Sequence, residues 1–425
     1  MKISIVTFGC KVNQYESELM AESLEKKGHV IVPENFEADV YIVNSCAVTR
    51  TAERKVEREV RRIKREHPKS KIVLVGCYPQ LAREIPVDVD LVLGNSEKRR
   101  IQDYLMSMKK GVFVDRAYWL RDGSVESLQT GFGDRTRAYI KIEDGCDRNC
   151  SYCAIRLARG TKIRSKPIEE ALKEFQRLLK RGYKEIVITG INIGRYGVDT
   201  GEKLVDLLRE LDGMPGEFRY RLSSLNPEDV NDEFLNFVSQ STKMCHHLHL
   251  SLQSGSDDVL KMMRRNYTSD DYLKIVDRLR TIDPDFSITT DVIVGFPGET
   301  EEDFERTLEM VEKVRFSRVH VFRFSPRDGT PASKMKDRIP GNVVKNRSEI
   351  LSIKAEEIAK LYREKSIGKV RRVLIEKNSN GMARGYDEYY ILHEFHTTKK
   401  EGFETVVIKS ISERGVISRG VHIHR

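Results

Sequence analysis

Long hydrophobic runs are missing from this sequence of 425 residues. Its longest apolar stretches, such as Ile72–Gly76 and Val292–Gly295, are far shorter than the roughly 20 residues that a membrane-spanning helix needs. The first residues, Met1–Thr7, fit a β-strand and contain neither the hydrophobic region nor the small-residue cleavage site of a signal peptide. We therefore expect a cytoplasmic protein without a membrane partner.

The chain also lacks a strong excess of charge of one sign. It contains 74 lysines and arginines and 65 aspartates and glutamates, which gives a formal net charge of +9. This excess is compatible with a polyanionic partner and equally with a basic solvated surface. Because hydrophobic residues make up 39% of the chain, the composition excludes an intrinsically disordered protein. The length predicts two to four domains of roughly 100–200 residues each.

Cysteine is infrequent, with seven residues in the whole chain. Disulfide frameworks are typical of small secreted domains, so we do not expect one in a long chain without a secretion signal. The positions of the cysteines relative to the predicted strands therefore decide which chemistry they serve.

The N-terminal 120 residues alternate between strands and helices. The predicted strands are Ile3–Phe8, Asp39–Asn44, Lys71–Gly76 and Leu91–Gly94, and the predicted helices are Glu16–Lys27 and Thr51–Glu66. The second helix places Val56, Val60 and Ile63 on one face. Buried apolar strands that alternate with helices predict a doubly wound parallel sheet over residues 1–120.

A polar stretch with several glycines, over residues 121–137, predicts a linker, and strand–helix alternation then resumes. Six further strands are predicted at Ala138–Ile142, Glu185–Thr189, Arg219–Ser223, His247–Leu252, Ile288–Val294 and Arg318–Phe324. Six β/α units predict a partial (β/α)6 barrel over residues 132–363, in which the chemistry lies at the carboxyl ends of the strands. The fold class is therefore α/β.

From Lys365 onward the sequence consists of short strands separated by turns. The predicted strands are Val370–Glu376, Tyr389–His393, Thr405–Ile411 and Val421–His424. This segment holds 12 basic and 7 acidic residues, so it carries five of the nine excess positive charges. We predict a small β-barrel over residues 364–425, of the kind that often binds oligonucleotides.

Three cysteines, Cys146, Cys150 and Cys153, lie in one short loop directly after the first predicted barrel strand. Three thiolates with this spacing can hold three irons of a [4Fe–4S] cluster and leave the fourth iron open for a small molecule. The alternative is a zinc site, but zinc prefers paired cysteines and a fourth ligand, and no second pair lies nearby in the sequence.

Three more cysteines each follow a strand of the predicted N-terminal sheet. Cys10, Cys46 and Cys77 come just after the first, second and third of these strands. Because the carboxyl ends of parallel strands meet at one edge of a sheet, we expect the three thiols to converge and to form a second three-cysteine cluster site. Cys245 has no companion, and we interpret it as a buried structural thiol.

The loop from Cys146 to Cys153 at the mouth of a predicted barrel resembles the radical S-adenosylmethionine (SAM) superfamily. With the N-terminal cysteines added, the chain resembles the methylthiotransferases over essentially its whole length. The run Thr7–Ser17, TFGCKVNQYES, is most similar to the branch that modifies N6-threonylcarbamoyladenosine at position 37 of tRNA. The C-terminal segment is similar to the TRAM domain of that family, which contacts RNA.

This resemblance implies two [4Fe–4S] clusters as cofactors, together with SAM. The cluster at Cys146, Cys150 and Cys153 would reduce SAM to a 5′-deoxyadenosyl radical, and the cluster at Cys10, Cys46 and Cys77 would carry or activate the inserted sulfur. The implied partners are the anticodon stem-loop of tRNA and a low-potential electron donor such as flavodoxin or ferredoxin.

The resemblance also suggests which side chains contact SAM, at the ends of several barrel strands. These candidates are Tyr152, Thr189, Gly190, Asn192, Ser223, Gln253 and Arg264. Thr189–Asn192 takes the place of a Gly-Gly-Glu run common in radical SAM enzymes, and Arg264 is suited to pair the SAM carboxylate. The alternative for each position is ordinary turn chemistry or local packing.

A second alternative concerns three histidines, His246, His247 and His249. In a strand the second and third share one face, which favours hydrogen bonding inside the barrel over metal binding.

Our hypothesis is an enzyme that replaces the C2 hydrogen of a tRNA adenine with a methylthio group. Competing hypotheses are the same chemistry on N6-isopentenyladenosine or on a ribosomal-protein aspartate, and a non-catalytic RNA-binding metalloprotein with structural zinc.

Overall fold

The structure is a computed structural model that describes residues 1–107, 110–120, 124–133 and 135–421. Its N-terminal part is a parallel sheet with strand order β2-β1-β3-β4-β5-β6. The strands are β1 Lys2–Thr7, β2 Val30–Val32, β3 Val40–Ser45, β4 Lys71–Gly76, β5 Leu91–Leu93 and β6 Gly111–Phe113, and the helices are α1 Lys11–Glu25, α2 Arg50–Glu66, α3 Cys77–Leu81 and α4 Ile101–Ser107.

Helices cover both faces of this sheet, as the doubly wound prediction requires. On one face, Val56, Val60 and Ile63 of α2 pack against Tyr41 and Val43 of β3. On the other face, α1 and α4 contribute their apolar residues to a separate core. The four predicted strands are confirmed, whereas β2 and β6 were not predicted, because each has only three residues and lies at an edge of the sheet.

The central part contains the six predicted parallel strands in sequential order, and their bounds differ from the prediction by at most two residues. The strands of this part are β7 Arg137–Lys141, β8 Glu143–Asp144, β9 Arg164–Ser165, β10 Glu185–Thr189, β11 Arg219–Leu222, β12 Ser224–Leu225, β13 His247–Leu250, β14 Ser287–Val294 and β15 Arg318–Arg323. The helices are α5 Ile155–Arg159, α6 Ile168–Lys180, α7 Leu204–Gly213, α8 Asp232–Gln240, α9 Asp257–Met262, α10 Ser269–Ile282, α11 Glu301–Val314 and α12 Gly341–Lys365.

The wall of the partial barrel consists of two sheets, β7-β10-β11 and β12-β13-β14-β15. An isolated parallel bridge links Tyr220 of β11 to Met244, which precedes β13, and Ser223 lies between β11 and β12. The six principal strands run in the same direction, so their carboxyl ends, and the loops that follow them, form one face of the barrel.

The C-terminal part is a closed barrel with strand order β16-β17-β18-β20-β19. Its strands are β16 Val370–Ser379, β17 Met382–Tyr386, β18 Leu392–His396, β19 Gly402–Ile411 and β20 Val416–Gly420. The predicted strand over Tyr389–His393 was wrong in its first part. Tyr390 has a φ of 66°, and Asp387 Oδ1 accepts the backbone N–H of Ile391, so these residues form a turn before β18.

Two predicted segments extend beyond the described residues. The predicted linker over 121–137 includes residues 121–123 and 134, and the predicted strand Val421–His424 includes residues 422–424. The strand observed in that region is β20, which ends at Gly420. Among the described helices, none combines the length and the apolar character needed to cross a bilayer.

Candidate active site

Cys146, Cys150 and Cys153 occupy the loop between β8 and α5, as their spacing predicted. The loop starts at Gly145, whose φ of 99° is rarely adopted by other residues. A Cβ at this position would lie 2.1 Å from the carbonyl oxygen of Lys162, so glycine allows the two chain segments to approach. The three cysteines are free thiols and are buried or partly buried.

Polar groups from two other loops contact these sulfurs. Asn192 Nδ2 donates to Cys146 Sγ at 3.7 Å, and Arg265 Nη1 donates to Cys150 Sγ at 3.1 Å. Arg265 is held by the Asn226 side chain at 2.6 Å and lies over the Tyr267 ring at 5.1 Å. Hydrogen bonds and positive charge directed at sulfur stabilise thiolates, which are the ligands of iron–sulfur clusters.

Cys146 and Cys153 are not poised to ionise by themselves. Burial, together with the neighbouring sulfurs of Cys153 and Cys150, raises the pKa of Cys146 to about 12. Burial and Cys150 likewise raise the pKa of Cys153. A bound metal removes the proton from a coordinating thiol outright. Three crowded, buried thiols with donors aimed at two of them therefore fit a metal cluster.

Five of the predicted SAM contacts lie at the carboxyl ends of β10, β11 and β13, on the face that carries the cysteine loop. Thr189 ends β10, and Gly190 and Asn192 follow it. Ser223 follows β11, and its buried hydroxyl has no hydrogen-bond partner among the described residues. Gln253 follows β13 with a φ of 66°, an unusual backbone conformation that is often found at functional sites.

Glu143, which the sequence analysis did not single out, is buried in the same place. Its Oε2 accepts the backbone N–H of Asn192 at 2.6 Å, whereas its Oε1 has no partner among the described residues. Burial, with the nearby charge of Asp144, raises the pKa of Glu143 to about 8. Near neutral pH this side chain is therefore predominantly a neutral acid that can both donate and accept. No sequence spacing could have indicated that Glu143 is buried and protonated beside Asn192.

Tyr152 and Arg264 lie at the border of the cysteine loop. The Tyr152 ring meets Phe296 edge to face, at 6.5 Å between centroids, beside an apolar group that includes Met263. Arg264 is exposed with a φ of 59° and lines a cavity of about 300 Å³ together with Cys150 and Glu228. The cation that contacts a sulfur of the cysteine loop is thus the next residue, Arg265.

The N-terminal cysteines converge as predicted. Cys10 is the N-cap of α1, Cys46 directly follows β3, and Cys77 begins α3 after β4. These three strands are neighbours, with Ser45 paired to Gly76. A Cβ on Gly9 would lie 3.0 Å from Cys46 Sγ, which shows how closely the first two loops approach.

These three thiols lie close enough to interact electrostatically. Burial, together with the sulfurs of Cys77 and Cys10, raises the pKa of Cys46 to about 12. Asn95 Nδ2 lies 4.0 Å from Cys77 Sγ and also donates to the carbonyl oxygen of Ala158 at 2.9 Å. This second group resembles the first: crowded thiols with a polar donor beside one sulfur.

Helix α5 connects the two cysteine groups. It starts two residues after Cys153, and Ala158 in its last turn packs into the core that contains Cys77. Cys245, by comparison, is buried apart from both groups, beside Arg221 and Glu185. The two groups of three thus lie on the two sides of one interface between the N-terminal sheet and the barrel.

Six buried ionic side chains at that interface form one connected set, which we call the buried charge network. Its members are Glu16, Lys98, Lys141, Asp144, Arg159 and Arg164. Glu16 pairs with Lys98 at 2.6 Å, with Lys141 at 2.8 Å and with Arg159 at 2.8 Å. Asp144 pairs with Lys141 at 2.7 Å and with Arg164 at 3.3 Å.

The histidines of β13 behave as the strand geometry predicted. His247 Nε2 and His249 Nδ1 both lie 3.0 Å from the Thr289 hydroxyl, whereas His246 faces the other side and pairs with Asp283 at 2.6 Å. His249 also lies 3.3 Å from the Asp291 carboxylate on β14. His247 and His249 thus bond to the neighbouring strand β14, whereas the partner of His246 is the residue that follows α10.

Comparisons with known proteins agree with this arrangement. Residues 140–311 match the radical SAM superfamily, and residues 2–94 match the uncharacterized protein family UPF0004. Over 423 residues, the chain is 53% identical to the threonylcarbamoyladenosine tRNA methylthiotransferase MtaB of Thermotoga maritima, and the alignment covers 98% of this chain and 96% of the relative. The chain belongs to the radical SAM tRNA methylthiotransferases.

Other methylthiotransferases are more distant relatives. MtaB of Bacillus subtilis is 36% identical, over 93% of this chain and 91% of the relative. A tRNA-2-methylthio-N(6)-dimethylallyladenosine synthase of Acetivibrio thermocellus is also 36% identical, over 87% of this chain and 79% of the relative. Family membership makes the protein an enzyme that uses SAM and a [4Fe–4S] cluster, with tRNA as the class of substrate.

Solved structures of radical SAM enzymes share the fold of this methylthiotransferase. The methyltransferase TsrM of Kitasatospora setae, with cobalamin and a [4Fe-4S] cluster bound, superimposes with a TM-score of 0.57 at 12% identity, over 90% of this chain and 80% of that chain. The cobalamin-dependent radical enzyme OxsB gives a TM-score of 0.55 at 12% identity, over 82% of this chain and 56% of that chain.

Proposed function

We propose that this methylthiotransferase converts N6-threonylcarbamoyladenosine at position 37 of tRNA to its 2-methylthio derivative and uses two [4Fe–4S] clusters. The observation that carries the proposal is the pair of three-cysteine groups on either side of one interface, in a chain that is 53% identical to a relative named for this substrate. The proposed functional units are residues 1–120, 132–363 and 364–425.

Cys146, Cys150 and Cys153 would hold the cluster that binds SAM. When bound, the cluster and SAM supply a 5′-deoxyadenosyl radical, which the unactivated C2–H bond of adenine requires. The protein contributes position and surroundings. Asn192 and Arg265 donate to two of the sulfurs, and Ser223, whose hydroxyl has no partner within the described part of the chain, would offer a hydrogen bond to SAM.

Further SAM contacts are assigned by position. Thr189, Gly190 and Gln253 lie at the carboxyl ends of their strands, and Tyr152 with Phe296 forms an apolar wall suited to an adenine ring. Arg264, at the rim of the small cavity beside Cys150, would pair the SAM carboxylate from the solvent side.

Cys10, Cys46 and Cys77 would hold the second cluster, which would supply the inserted sulfur, and a second SAM would supply the methyl group. These cysteines follow three adjacent parallel strands and so offer three thiol ligands at one edge of the sheet. A low-potential donor such as flavodoxin or ferredoxin would supply the electrons.

The anticodon stem-loop would be held by the barrel and the C-terminal part together. Arg137 at the start of β7 lies 4.9 Å from the Tyr386 ring and 5.4 Å from the Tyr390 ring, and Arg221 lies 4.7 Å from Tyr390. These contacts hold the turn at Tyr386 and Tyr390 against the barrel, so the C-terminal part has a fixed position beside it. The excess of basic residues after Lys365 supports the same partner.

The second candidate substrate is tRNA with N6-dimethylallyladenosine, because relatives named for that activity are 36% identical to this chain. The experiment that decides is mass spectrometry of nucleosides after incubation of reconstituted enzyme, SAM and reductant with each tRNA. We expect methylthio product from the threonylcarbamoyladenosine tRNA. Product from the dimethylallyladenosine tRNA alone would contradict the assignment.

Single-cysteine variants separate the two proposed clusters in the same assay. Cys150→Ala should abolish both 5′-deoxyadenosine and the methylthio product, whereas Cys46→Ala should abolish only the methylthio product. Cys245→Ala is the matched control, since this buried thiol belongs to neither group. If Cys46→Ala still gave methylthio product, the role of the N-terminal group would be refuted.

A further inference from the structure

The buried charge network has more positive than negative members. Four cations, Lys98, Lys141, Arg159 and Arg164, are grouped with two carboxylates, Glu16 and Asp144, and every one of the six residues is at most 7% exposed. The network therefore carries two excess positive charges. Each of the two carboxylates pairs with at least two of the buried cations: Glu16 with Lys98 and Lys141, and Asp144 with Lys141 and Arg164.

Uncompensated charge inside a protein is expensive. Removing an ion from water costs several kcal/mol even after relaxation, and a buried pair offsets this cost only with opposite charge close by. Two excess cations beneath an interface thus require anions that the protein side chains of the network do not supply. The contacts of the cations indicate which groups could supply this negative charge.

The N-terminal cysteines, which can carry negative charge, lie close to Arg159 and Lys98 of the network. Arg159 Nη2 donates to Asn13 Oδ1 at 2.9 Å. Asn13 lies one turn after Cys10, and its Nδ2 donates at 3.0 Å to the carbonyl oxygen of Ser45, the last residue of β3 and the neighbour of Cys46. Arg159 also follows Ala158, whose carbonyl is bonded by the same Asn95 that touches Cys77 Sγ.

The electrostatic interactions of Arg159 also place it close to Cys77. Burial alone would lower the pKa of Arg159, yet the Cys77 sulfur, together with Glu16 and Asp144, raises it well above the usual value. Lys98 is coupled to Cys77 as well, although burial lowers its pKa. A [4Fe–4S]²⁺ core with three thiolates has one net negative charge, and one-electron reduction adds a second, so the two excess cations match the reduced cluster.

We propose that the buried charge network is the counter-charge of the N-terminal cluster and sets its reduction potential, with Lys98 and Arg159 as positioning residues that stabilise the reduced form. This inference rests on the proposed function, because it needs a second cluster at Cys10, Cys46 and Cys77. Cluster potentials depend on net charge and surroundings, so the network ties the chemistry of the N-terminal sheet to four residues of the barrel.

The test uses full-length protein in which Cys146, Cys150 and Cys153 are replaced by alanine, so that the N-terminal cluster is studied alone. Iron content and electron paramagnetic resonance of this reference protein show first whether the cluster forms. A reference protein without iron would refute the two-cluster function itself, which is a different result from an altered potential.

Two substitutions of opposite sign are then compared by redox titration. Lys98→Met removes a cation and should shift the potential to more negative values, by roughly a tenfold change in the oxidised-to-reduced ratio, which is about 59 mV for a one-electron couple. Glu16→Gln removes an anion and should shift the potential in the positive direction. Lys141→Met, which removes another cation of the network, should repeat the negative shift if Lys98→Met folds poorly.

The matched control is Lys166→Met. Lys166 is equally buried at the same interface, but its partners are Glu174 and the Tyr15 hydroxyl, so the potential should stay unchanged. Lys98→Arg, which keeps the charge, should restore the wild-type potential. Equal potentials in all variants, with only the thermal midpoint lowered, would overturn the proposal and leave the network a purely structural link between the two parts.

Discussion

At the scale of single residues, the site depends on side chains whose neighbours determine their charge. Glu143 is protonated near neutral pH because burial and Asp144 raise its pKa to about 8, whereas Glu185, equally buried, stays ionised because Arg221, Arg219 and Arg137 outweigh its burial. Glu143 lies in β8, beyond the carboxyl end of β7, and Glu185 begins β10, so two buried glutamates at opposite ends of the barrel wall have opposite states. The difference comes from contacts across the fold, which a sequence does not display.

The raised pKa of Glu143 predicts how stability depends on pH. The folded state holds the proton more tightly than the unfolded state, so the protein loses stability as pH rises from about 4.5 to about 8. The glutamine of Glu143→Gln does not titrate, so this variant lacks the pH-dependent loss of stability. Its advantage in unfolding free energy should be absent below pH 4.5 and should grow by at most about 1.4 kcal/mol per pH unit above it. Thermal or denaturant unfolding from pH 4 to 9 measures this difference.

Glu185→Gln serves as the control of opposite sign. Its folded pKa is lowered, so ionised Glu185 contributes stability above its unfolded pKa and loses it as pH falls. This variant should be less stable than wild type at pH 7, and the gap should narrow in acid. A Glu143→Gln advantage that is constant with pH would show that Glu143 is ionised.

At the scale of elements, the strands that position the cysteines were predictable and the turns were not. β1, β3 and β4 are buried on both faces and are therefore continuous apolar runs in the sequence. The positive φ of Arg264 turns the chain so that Arg265 faces Cys150, and spacing cannot distinguish two adjacent arginines. β17 was missed because Gly385 interrupts its pattern.

The turn at Gly145 predicts a local defect. In Gly145→Ala, the added methyl group would collide with the backbone of Lys162, so the cysteine loop must shift. We expect about half of the reconstituted iron to be lost, with the N-terminal cluster retained. Iron analysis and reductive SAM cleavage measure the effect.

Gly182→Ala is the matched control, because Gly182 has a φ of 94° but open space around its Cα. Only backbone strain of about 1–2 kcal/mol is then expected, and the iron content should equal that of wild type. If both variants lost iron equally, the close approach at Lys162 would not matter to the cluster.

At the scale of the whole molecule, three parts act through shared interfaces. The fold class and the three parts were predictable from strand periodicity, and so were the six cysteines that form the two groups. The buried charge network was not, because Glu16 lies 125 residues from Lys141 and 143 residues from Arg159 in the chain. Such long-range pairs are determined by how the parts dock. Glu53 and Arg327, which pair across the same two parts, show the same limit.

The basic C-terminal part predicts a salt-dependent interaction with RNA. Lys377 on β16 and Lys409 on β19 are exposed. Replacing both with glutamine should weaken tRNA binding and reduce the slope of log Kd against log salt by about 0.7–0.9 for each phosphate that is no longer neutralised. Measurements of tRNA binding at salt concentrations between about 50 and 200 mM test this prediction.

The control replaces Lys173 and Lys180, which are exposed on α6 in the outer layer of the barrel. This pair has the same charge change, and its salt slope should match wild type. Equal slopes for all three proteins would exclude the C-terminal part as a phosphate-binding surface.

The parallel pairing of β18 with β20 closes the C-terminal barrel and leaves its strands without a free edge. The main-chain groups of paired residues thus hydrogen-bond to one another. A polynucleotide would be recognised there by side chains and by the turns. Evolution can accordingly exchange those side chains to suit a new RNA without rebuilding the scaffold that carries them.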